Sequence, residues 1–514
     1  MRAMMPSWMW TLAIGVAMPS PVAASDVARG VVHVDEPIGR ILALNGVQSG
    51  PLPPNLEDPL LTNAFRAAHV SLVRLPQDLG FVDGYDLDLA LTLGDIFPDA
   101  AADPDDPGAY RFEHLDQFIK AIKDAGAEPL WEAQYDIGQD ANTWAPNGNQ
   151  AGRAPRDPAR WVRVVLNVLR HLNDGWADGH HWDVRYVEFP NEPCGLGGYD
   201  CSSAAPGHDG RPGRRRLYDD FARLLRAVRR YNADSGHDVQ VAGLALPASH
   251  AKQSLPELLK VLKRAGLALP IFSYHDYAWP EEMARNAWQL HRALDRAGFK
   301  RTALWNTEWN WPITQPPEDL RATLNLDEQS AFVAAHNAQV KSLVQGAWDA
   351  GVVSRAIRSA AGSERRDPSE FFYFYLDQRR AGPAPGTPKP AYYGWTMMDE
   401  MARLTPDRLK AEISMSSPTL LAGRSIDGRR LSLLLAHFCS SYTSGCAAEQ
   451  PYEVRLIGTE PGAAYVVTEE VLDGSASAPS SRQARVVAGD PALILSGTIR
   501  LWSVRYLVIE PAGS

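Results

Sequence analysis

The chain has 514 residues, and 45% of them are hydrophobic, which excludes a disordered or collagen-like protein. Its 51 basic residues stand against 61 acidic ones, giving a formal net charge of −10. This balance leaves no broad basic surface for phosphate groups, so we expect no nucleic-acid partner. The length fits two or three domains, because an α/β barrel takes ~250 residues or more as one unit.

Residues 1–24 have the pattern of a secretory signal peptide. Arg2 precedes an apolar run from Trp8 to Met18, and small residues at 22–24 follow it. We expect cleavage after Ala24 and a secreted or periplasmic protein. The apolar run is shorter than the roughly 20 residues that a membrane-spanning helix needs, and no later run is long enough, so we predict no stable membrane span.

Residues 25–40 contain a β-like segment that we expect to join a β domain further along the chain. From residue 41 to residue 404, short β-type runs alternate with amphipathic stretches, as in parallel βα units. The helical period is clear at Leu115, Phe118 and Ile122. Eight runs qualify as strands: Ile41 to Leu44, Val70 to Leu75, Glu128 to Trp131, Val184 to Phe189, Val239 to Leu244, Ile271 to Tyr274, Thr302 to Trp305, and Val352 to Ile357. Eight such units predict an α/β fold of the (β/α)8 TIM-barrel type for residues 41–404.

The helical period stops after residue 404, and alternating β-type segments follow. The turn pair Asp427-Gly428 lies between the apolar-rich runs Thr419 to Ile426 and Leu431 to Phe438, a pattern typical of a hairpin. We therefore predict that residues 405–514 form a C-terminal antiparallel β-sandwich domain.

The four cysteines fall into two local pairs, Cys194 with Cys201 and Cys439 with Cys446. Four cysteines allow three connectivities, but an exported chain with an even, clustered count favours one disulfide bond within each pair. The spacing does not suit a zinc site, and His180 and His181 do not complete one. We expect no metal site.

Two glutamates follow predicted strands at the end of the barrel where active sites form. Glu192 follows the fourth strand in Phe-Pro-Asn-Glu-Pro, and Glu308 follows the seventh in Leu-Trp-Asn-Thr-Glu-Trp-Asn. A single strand-end glutamate commonly caps a turn or forms an ion pair. Two of them, each framed by Asn, Pro or Trp, favour a catalytic pair.

These motifs resemble a known enzyme family. Asn191-Glu192-Pro193 and the stretch Thr307 to Asn310 are similar to the acid/base and nucleophile motifs of clan A glycoside hydrolases, specifically family 39. That family includes β-xylosidases and α-L-iduronidases, with relatives that act on bacterial exopolysaccharides. Further similar stretches are Pro129 to Glu132, Phe272 to Tyr277, and Lys389 to Tyr393.

The resemblance implies a retaining double displacement in which Glu308 is the nucleophile and Glu192 the acid/base, with carboxyl groups roughly 5–5.5 Å apart. It implies no cofactor, since the reaction needs only two carboxyl groups and water. It also implies that Arg74 and Tyr277 hold Glu308 in place. Asn191 would form a hydrogen bond with the sugar 2-hydroxyl group, and His275 with a ring hydroxyl group. Glu132 would position the sugar or support the structure of the site.

Trp309 and Trp311 flank the predicted nucleophile and are candidates for stacking against a sugar ring, although core packing is the usual role of a buried tryptophan. The stretch Arg355 to Gly362 departs from the aromatic and acidic pattern of family xylosidases. Arg358 there could face an acidic sugar or pair with Glu364.

The leading hypothesis is a retaining glycoside hydrolase of β-xylosidase-like type that cleaves oligo- or polysaccharides. One alternative is an endo-acting exopolysaccharide hydrolase. An alternative from another class is a carbohydrate-binding protein without catalytic activity, which the presence of both glutamates disfavours. The sequence leaves open the sugar, the linkage, the oligomeric state and a structural calcium ion.

Overall fold

The computed structural model describes residues 26–48, 51, 59–75, 93–134, 155, 157–194, 199, 201, 213–310, 326–346, 355–358, 387–439 and 446–513. The predicted signal peptide at 1–24 lies outside these residues. So do Trp311 and Glu364.

Eight parallel strands close into the barrel that the sequence predicts. A first strand, β1 (Ala28–Arg40), precedes them and belongs to another sheet. The barrel strands are β2 (Gly46–Gln48), β3 (Leu72–Leu75), β4 (Glu128–Glu132), β5 (Tyr186–Glu188), β6 (Gln240–Pro247), β7 (Ile271–Tyr277), β8 (Ala303–Asn310) and β9 (Arg355–Arg358). Each pairs in parallel with the next, and β9 pairs with β2.

The first predicted barrel strand is wrong by several residues. Ile41 to Leu44 is not a strand, and β2 begins at Gly46 instead. The Ile41 amide donates to the carbonyl of Pro406, and Leu44 has a φ of 53°, which no extended strand adopts. Ile41 and Leu44 are therefore buried at the junction of the two domains rather than in the barrel wall.

Helices follow the barrel strands and cover the outside of the barrel. Their bounds are α1 (Pro59–Ala67), α2 (Leu93–Ile96), α3 (Glu113–Asp124), α4 (Pro158–Asp174), α5 (Gly213–Ser235), α6 (Ala248–Arg264), α7 (Pro280–Arg296), α8 (Leu326–Gly346) and α9 (Pro390–Leu404). The predicted apolar face of α3 is buried. No helix in the described ranges combines the length and the apolar character needed to cross a membrane.

Helix α4 shows how local sequence sets these boundaries. The side chain of Asp157 accepts hydrogen bonds from the amides of Ala159 and Arg160, and Pro158 occupies the first helical position. Gly175 ends the helix in the left-handed conformation, with a φ of 74°.

The interior of the barrel contains an apolar layer that is separate from the core between strands and helices. One inward side chain from each of six strands forms it: Leu72, Leu130, Tyr186, Ala242, Ile271 and Trp305. We call this layer the apolar plug. Successive strand residues point to opposite faces, so the next inward residue on each strand lies one layer above the apolar plug.

The C-terminal domain is a nine-stranded sheet. Its later strands are β10 (Asp407–Ile413), β11 (Thr419–Arg424), β12 (Leu431–His437), β13 (Glu449–Ile457), β14 (Ala464–Leu472), β15 (Ser480–Val487), β16 (Ala492–Arg500) and β17 (Ser503–Pro511). The order is β15-β14-β17-β12-β11-β10-β1-β13-β16. The sheet is mixed rather than purely antiparallel, because β1 runs parallel to β13 while it pairs antiparallel with β10.

Both local cysteine pairs form disulfide bonds. Cys194 joins Cys201 with a Cα–Cα distance of 5.2 Å, and Cys439 joins Cys446 at 6.4 Å. The preference for pairing within each loop is confirmed.

Helix α8 connects the two domains by packing against β12 and β17. Phe332 on this helix contacts Phe438, with ring centroids 5.0 Å apart, and Trp502 at 5.5 Å. The β domain therefore packs on the outside of the barrel.

Candidate active site

Strand alternation places a layer of polar side chains directly above the apolar plug. Each follows an inward apolar residue by two positions: Arg74 on β3, Glu132 on β4 and Glu188 on β5. All three are buried, at 0–1% exposure. Charged groups at this depth require partners, since an unpaired buried charge costs several kcal/mol or more.

A bulge in β8 brings Glu308 to the same layer. Ser273 pairs with Trp305, but His275 pairs with Glu308 after a register shift that leaves one extra residue in β8. Without it, Thr307 would take the inward position. The extra residue turns Glu308 toward the interior beside His275 and leaves Trp309 on the outer face.

His275 lies between the two candidate catalytic carboxyl groups. Its Nδ1 atom is 2.9 Å from Oε1 of Glu192 and 2.9 Å from Oε2 of Glu308. One carboxylate oxygen of each glutamate and a ring nitrogen of His275 all lie within 4.8 Å of one another. Burial lowers the pKa of the imidazole, but the charge of Glu308 and hydrogen bonds to both carboxyl groups outweigh burial and raise it to about 9.

Glu308 is held in its ionised form. Burial alone would raise its pKa, but His275, Arg74 and a hydrogen bond from the Tyr277 hydroxyl lower it to about 2. The Tyr277 O–H donates to Oε1 over 2.6 Å, and Nη1 of Arg74 is 3.7 Å from Oε2.

Arg74 connects most of the polar layer. Its Nε donates to Glu188 over 2.5 Å, and its Nη2 is 3.1 Å from Glu132 and 3.0 Å from Oδ1 of Asn191. Burial lowers the pKa of the guanidinium, but the neighbouring glutamates, Glu188 first, raise it above its ordinary value. Arg74 therefore stays charged.

Glu132 differs from Glu308 in its charge state. Burial raises its pKa to about 7, and Arg74 only partly offsets that effect because Glu188 competes for the same guanidinium. Oε1 of Glu132 accepts a hydrogen bond from the Asn191 amide over 2.8 Å. Glu132 thereby fixes the backbone next to Glu192.

Glu192 occupies a constrained backbone position. Its φ is 38°, in the region that favours glycine, and its amide donates to the Ala245 carbonyl over 3.1 Å. The Ala245 amide in turn donates to the Ser273 hydroxyl. Non-glycine residues in this region cluster at functional sites, where the surrounding structure enforces them.

The structure brings together seven of the nine predicted site residues: Arg74, Glu132, Asn191, Glu192, His275, Tyr277 and Glu308. Trp309 does not join them, contrary to the expectation that it stacks against a sugar ring. It is 1% exposed, and its ring packs near His336 with centroids 6.4 Å apart. Since Glu308 points inward, its neighbour on the strand points outward into the core. Trp311 lies outside the described residues.

His275 also differs from the expectation that it forms a hydrogen bond with a ring hydroxyl group of the sugar. It is 1% exposed and contacts both carboxyl groups rather than presenting Nδ1 to a substrate.

Sequence reasoning missed Glu188. The run Tyr186-Val187-Glu188 places Tyr186 and Glu188 on the same face, so an inward Tyr186 predicts an inward Glu188.

The arrangement presents two carboxyl groups with different environments at an accessible end of the barrel. The side chains of Glu192 and Glu308 remain 21% and 17% exposed, unlike the buried residues that hold them. Their oxygens and the His275 nitrogen are also close enough to share a metal ion. A low-pKa carboxylate beside a second carboxyl group suits nucleophilic attack coupled to proton transfer.

Comparisons with solved structures show which proteins share this fold. A glucosidase from Croceicoccus marinus is 20% identical, with a TM-score of 0.66 over 96% of this chain and 100% of that one. A GH39 enzyme from Xanthomonas axonopodis pv. citri is 15% identical, with a TM-score of 0.63 over 96% and 100%. A monomeric β-xylosidase from Caulobacter crescentus CB15 is 14% identical, with a TM-score of 0.63 over 94% and 100%. The sequence itself matches no family model and no curated protein.

Proposed function

We propose that this protein is a retaining glycoside hydrolase, similar to family 39 enzymes, that cleaves glycosidic bonds in oligo- or polysaccharides. The observation that carries the proposal is the pair Glu192 and Glu308, whose oxygens lie within 4.8 Å of each other. A closest approach this short fits the roughly 5–5.5 Å separation of carboxyl groups in retaining enzymes better than the 6.5–9.5 Å of inverting ones. The shared fold of glucosidase and xylosidase structures supports the same conclusion.

In the first step, ionised Glu308 attacks the anomeric carbon while protonated Glu192 gives its proton to the glycosidic oxygen. The bond between these two substrate atoms breaks, and a glycosyl ester forms on Glu308. The low pKa of Glu308, about 2, keeps the nucleophile ionised across the physiological pH range.

In the second step, Glu192 removes a proton from water, and the water oxygen displaces Glu308 from the anomeric carbon. Esterified Glu308 carries no charge, so its repulsion of an ionised Glu192 is gone. Nδ1 of His275, 2.9 Å from Oε1 of Glu192, orients this carboxyl group for the proton transfer.

Asn191 is placed to bind the sugar beside the nucleophile. Its Oδ1 accepts from Arg74 over 3.0 Å, so the amide nitrogen points away from the guanidinium. We propose that this nitrogen donates to the 2-hydroxyl group, a contact that strengthens in the transition state.

Azide rescue tests the two roles. Glu192→Ala and Glu308→Ala are assayed on aryl glycosides of xylose, glucose and uronic acids and on extracted polysaccharides, which also separates exo from endo action. We expect at least about a 10²–10⁴-fold loss of turnover in both. Azide should then yield a glycosyl azide of retained configuration with Glu192→Ala and of inverted configuration with Glu308→Ala.

The control is Glu282→Ala, which removes an exposed glutamate of α7 and should keep wild-type turnover. Wild-type turnover in both active-site variants would place the site elsewhere. A wild type that binds polysaccharide and cleaves none would favour the carbohydrate-binding alternative.

We also propose that the protein is exported and that its mature chain begins after Ala24. Two disulfide bonds within short loops support an oxidising destination. The intact mass of protein recovered from an exporting bacterial host tests the cleavage site, and retention of residues 1–24 would contradict it.

A further inference from the structure

A second cluster of metal-ligand side chains lies outside the polar layer of the barrel. Asp116 on α3, His171 on α4 and His180 in the segment after α4 converge. Nε2 of His171 is 2.9 Å from Oδ1 of Asp116, and Nε2 of His180 is 3.2 Å from Oδ2. None of these residues lies on a barrel strand or contributes to the proposed catalysis.

A hydrogen bond on the far side of the His171 ring fixes which of its nitrogens faces Asp116. Nδ1 of His171 is 3.0 Å from the carbonyl oxygen of Trp176. A carbonyl only accepts, so Nδ1 donates to it, which leaves Nε2 as the ring nitrogen that faces Asp116. A ring nitrogen bonded to a backbone carbonyl is also the common outer contact of metal-binding histidines.

Both imidazole rings are fixed in orientation by aromatic neighbours. His171 stacks on Phe112 with centroids 3.5 Å apart, and His180 stacks on Trp182 at 3.6 Å. The segment that carries His180 lies directly on His171, because a Cβ at Gly179 would come within 2.2 Å of the His171 carbonyl oxygen. Only glycine permits this approach.

The same segment adopts an unusual backbone. Ala177 and Asp178 both have a φ of 56°, a conformation that non-glycine residues rarely take. Together with the stacked rings, this holds the three ligand atoms in place before any ion arrives, which lowers the cost of binding.

We propose that Asp116, His171 and His180 bind one divalent transition-metal ion, with Zn²⁺ as the best fit. Imidazole and carboxylate ligands at about 2.0–2.2 Å in a tetrahedral site lie roughly 3.3–3.5 Å from one another, so the 2.9 and 3.2 Å contacts here need to open by only a few tenths of an ångström to admit an ion. Asp116 and His180 are 25% and 33% exposed, which gives an ion a route in and leaves the fourth position to water. The ion connects α3 to the end of α4 and has no part in glycoside cleavage.

The test uses the full mature chain, expressed without a histidine tag, stripped with EDTA and dialysed. Titration calorimetry with Zn²⁺, and metal content after re-dialysis, should show one ion per chain for the wild type. His180→Ala should weaken this binding at least about 100-fold, since even outer-contact changes cost 10–100-fold. Zn²⁺ should also raise the unfolding temperature of the wild type but not of His180→Ala.

Two control variants locate the ion. His181→Ala removes the adjacent histidine, whose Nδ1 contacts the Asn173 carbonyl instead, and should bind like the wild type. Glu308→Gln disrupts the only other described group able to hold an ion and should also keep the tight site. Equal Zn²⁺ binding by the wild type and His180→Ala, or loss of the ion only in Glu308→Gln, would overturn the proposal, as would no binding in the wild type. None of these readouts depends on glycosidase activity.

Discussion

At the residue scale, the neighbours of a buried carboxyl group decide its charge. Burial raises the pKa of both Glu308 and Glu132, yet the first ends near 2 and the second near 7. Glu308 has His275 and the Tyr277 hydroxyl as well as Arg74, whereas Glu132 shares Arg74 with Glu188. One barrel layer therefore holds an ionised carboxylate, the proposed nucleophile, beside a carboxyl group that binds a proton near neutral pH.

The hydrogen bond from Tyr277 gives a direct test of this tuning. Tyr277→Phe removes the O–H that donates to Glu308 over 2.6 Å. A hydrogen bond to a charged group contributes about 1.5–3 kcal/mol, so we expect kcat/KM to fall about 10- to 150-fold. The pKa of Glu308 should rise, which moves the acidic limb of the kcat/KM profile to higher pH.

Tyr393→Phe is the matched control, because Tyr393 is a partly buried residue of α9 that lies outside the polar layer. It should leave both the rate and the profile unchanged. A Tyr277→Phe profile with an unmoved acidic limb would show that the hydroxyl does not tune Glu308.

At the element scale, the alternation of barrel strands and helices can be predicted from sequence, but irregularities within the strands cannot. Short β-type runs between amphipathic helical stretches locate the strands, since parallel barrel strands are buried on both faces. The bulge in β8 has no such pattern, and it alone makes Glu308 rather than Thr307 point inward. Past the bulge the alternation resumes, so Glu308 faces the interior and Trp309 packs in the outer core.

The loop after β5 adds a prediction at this scale. The Cys194–Cys201 disulfide begins two residues after Glu192, and Nη2 of Arg214 donates to the Cys201 carbonyl over 2.6 Å. Cys439–Cys446 closes a loop of equal length in the β domain. The double variant Cys194→Ser/Cys201→Ser should lower kcat/KM by about 10-fold or more, because loss of the bridge frees the backbone of Glu192.

The variant Cys439→Ser/Cys446→Ser serves as the comparison for loop closure alone, since both bridges have a sequence separation of 7. It should keep the wild-type rate. Equal rates for the two double variants would contradict a role of the first bridge in positioning Glu192.

At the scale of the whole molecule, sequence reasoning recovered the barrel and a separate β domain but not how distant segments combine. The sheet order places β1 between β10 and β13, which are hundreds of residues away along the chain. Asp116, His171 and His180 likewise come from separate segments, and no spacing motif joins them. Contacts of this kind depend on packing between elements, which local periodicity does not encode.

The buried titratable groups also predict how stability depends on pH. His275 has a pKa near 9 in the folded protein against an ordinary value of 6.5, so its stabilising contribution is complete below pH 6.5 and is lost as pH rises to 9. Glu132 and Asp276 have pKa values near 7, raised chiefly by burial, so the folded state binds more protons than the unfolded state between about pH 4 and 7. Both effects make stability fall as pH rises.

Glu308 acts in the opposite range. Its pKa near 2 means that its contribution is complete above pH 4.5 and is lost as pH falls toward 2. We therefore expect maximum stability near pH 5 and a decline of several kcal/mol by pH 9, since one pKa unit corresponds to about 1.4 kcal/mol.

Urea unfolding at pH 3, 5, 7 and 9 measures this profile. Asp276→Asn should flatten the decline in stability between pH 5 and 7. It should preserve the decline from pH 7 to 9, which belongs to His275. An unfolding midpoint that is constant or rises from pH 5 to 9 would show that these charges are not held as the structure indicates.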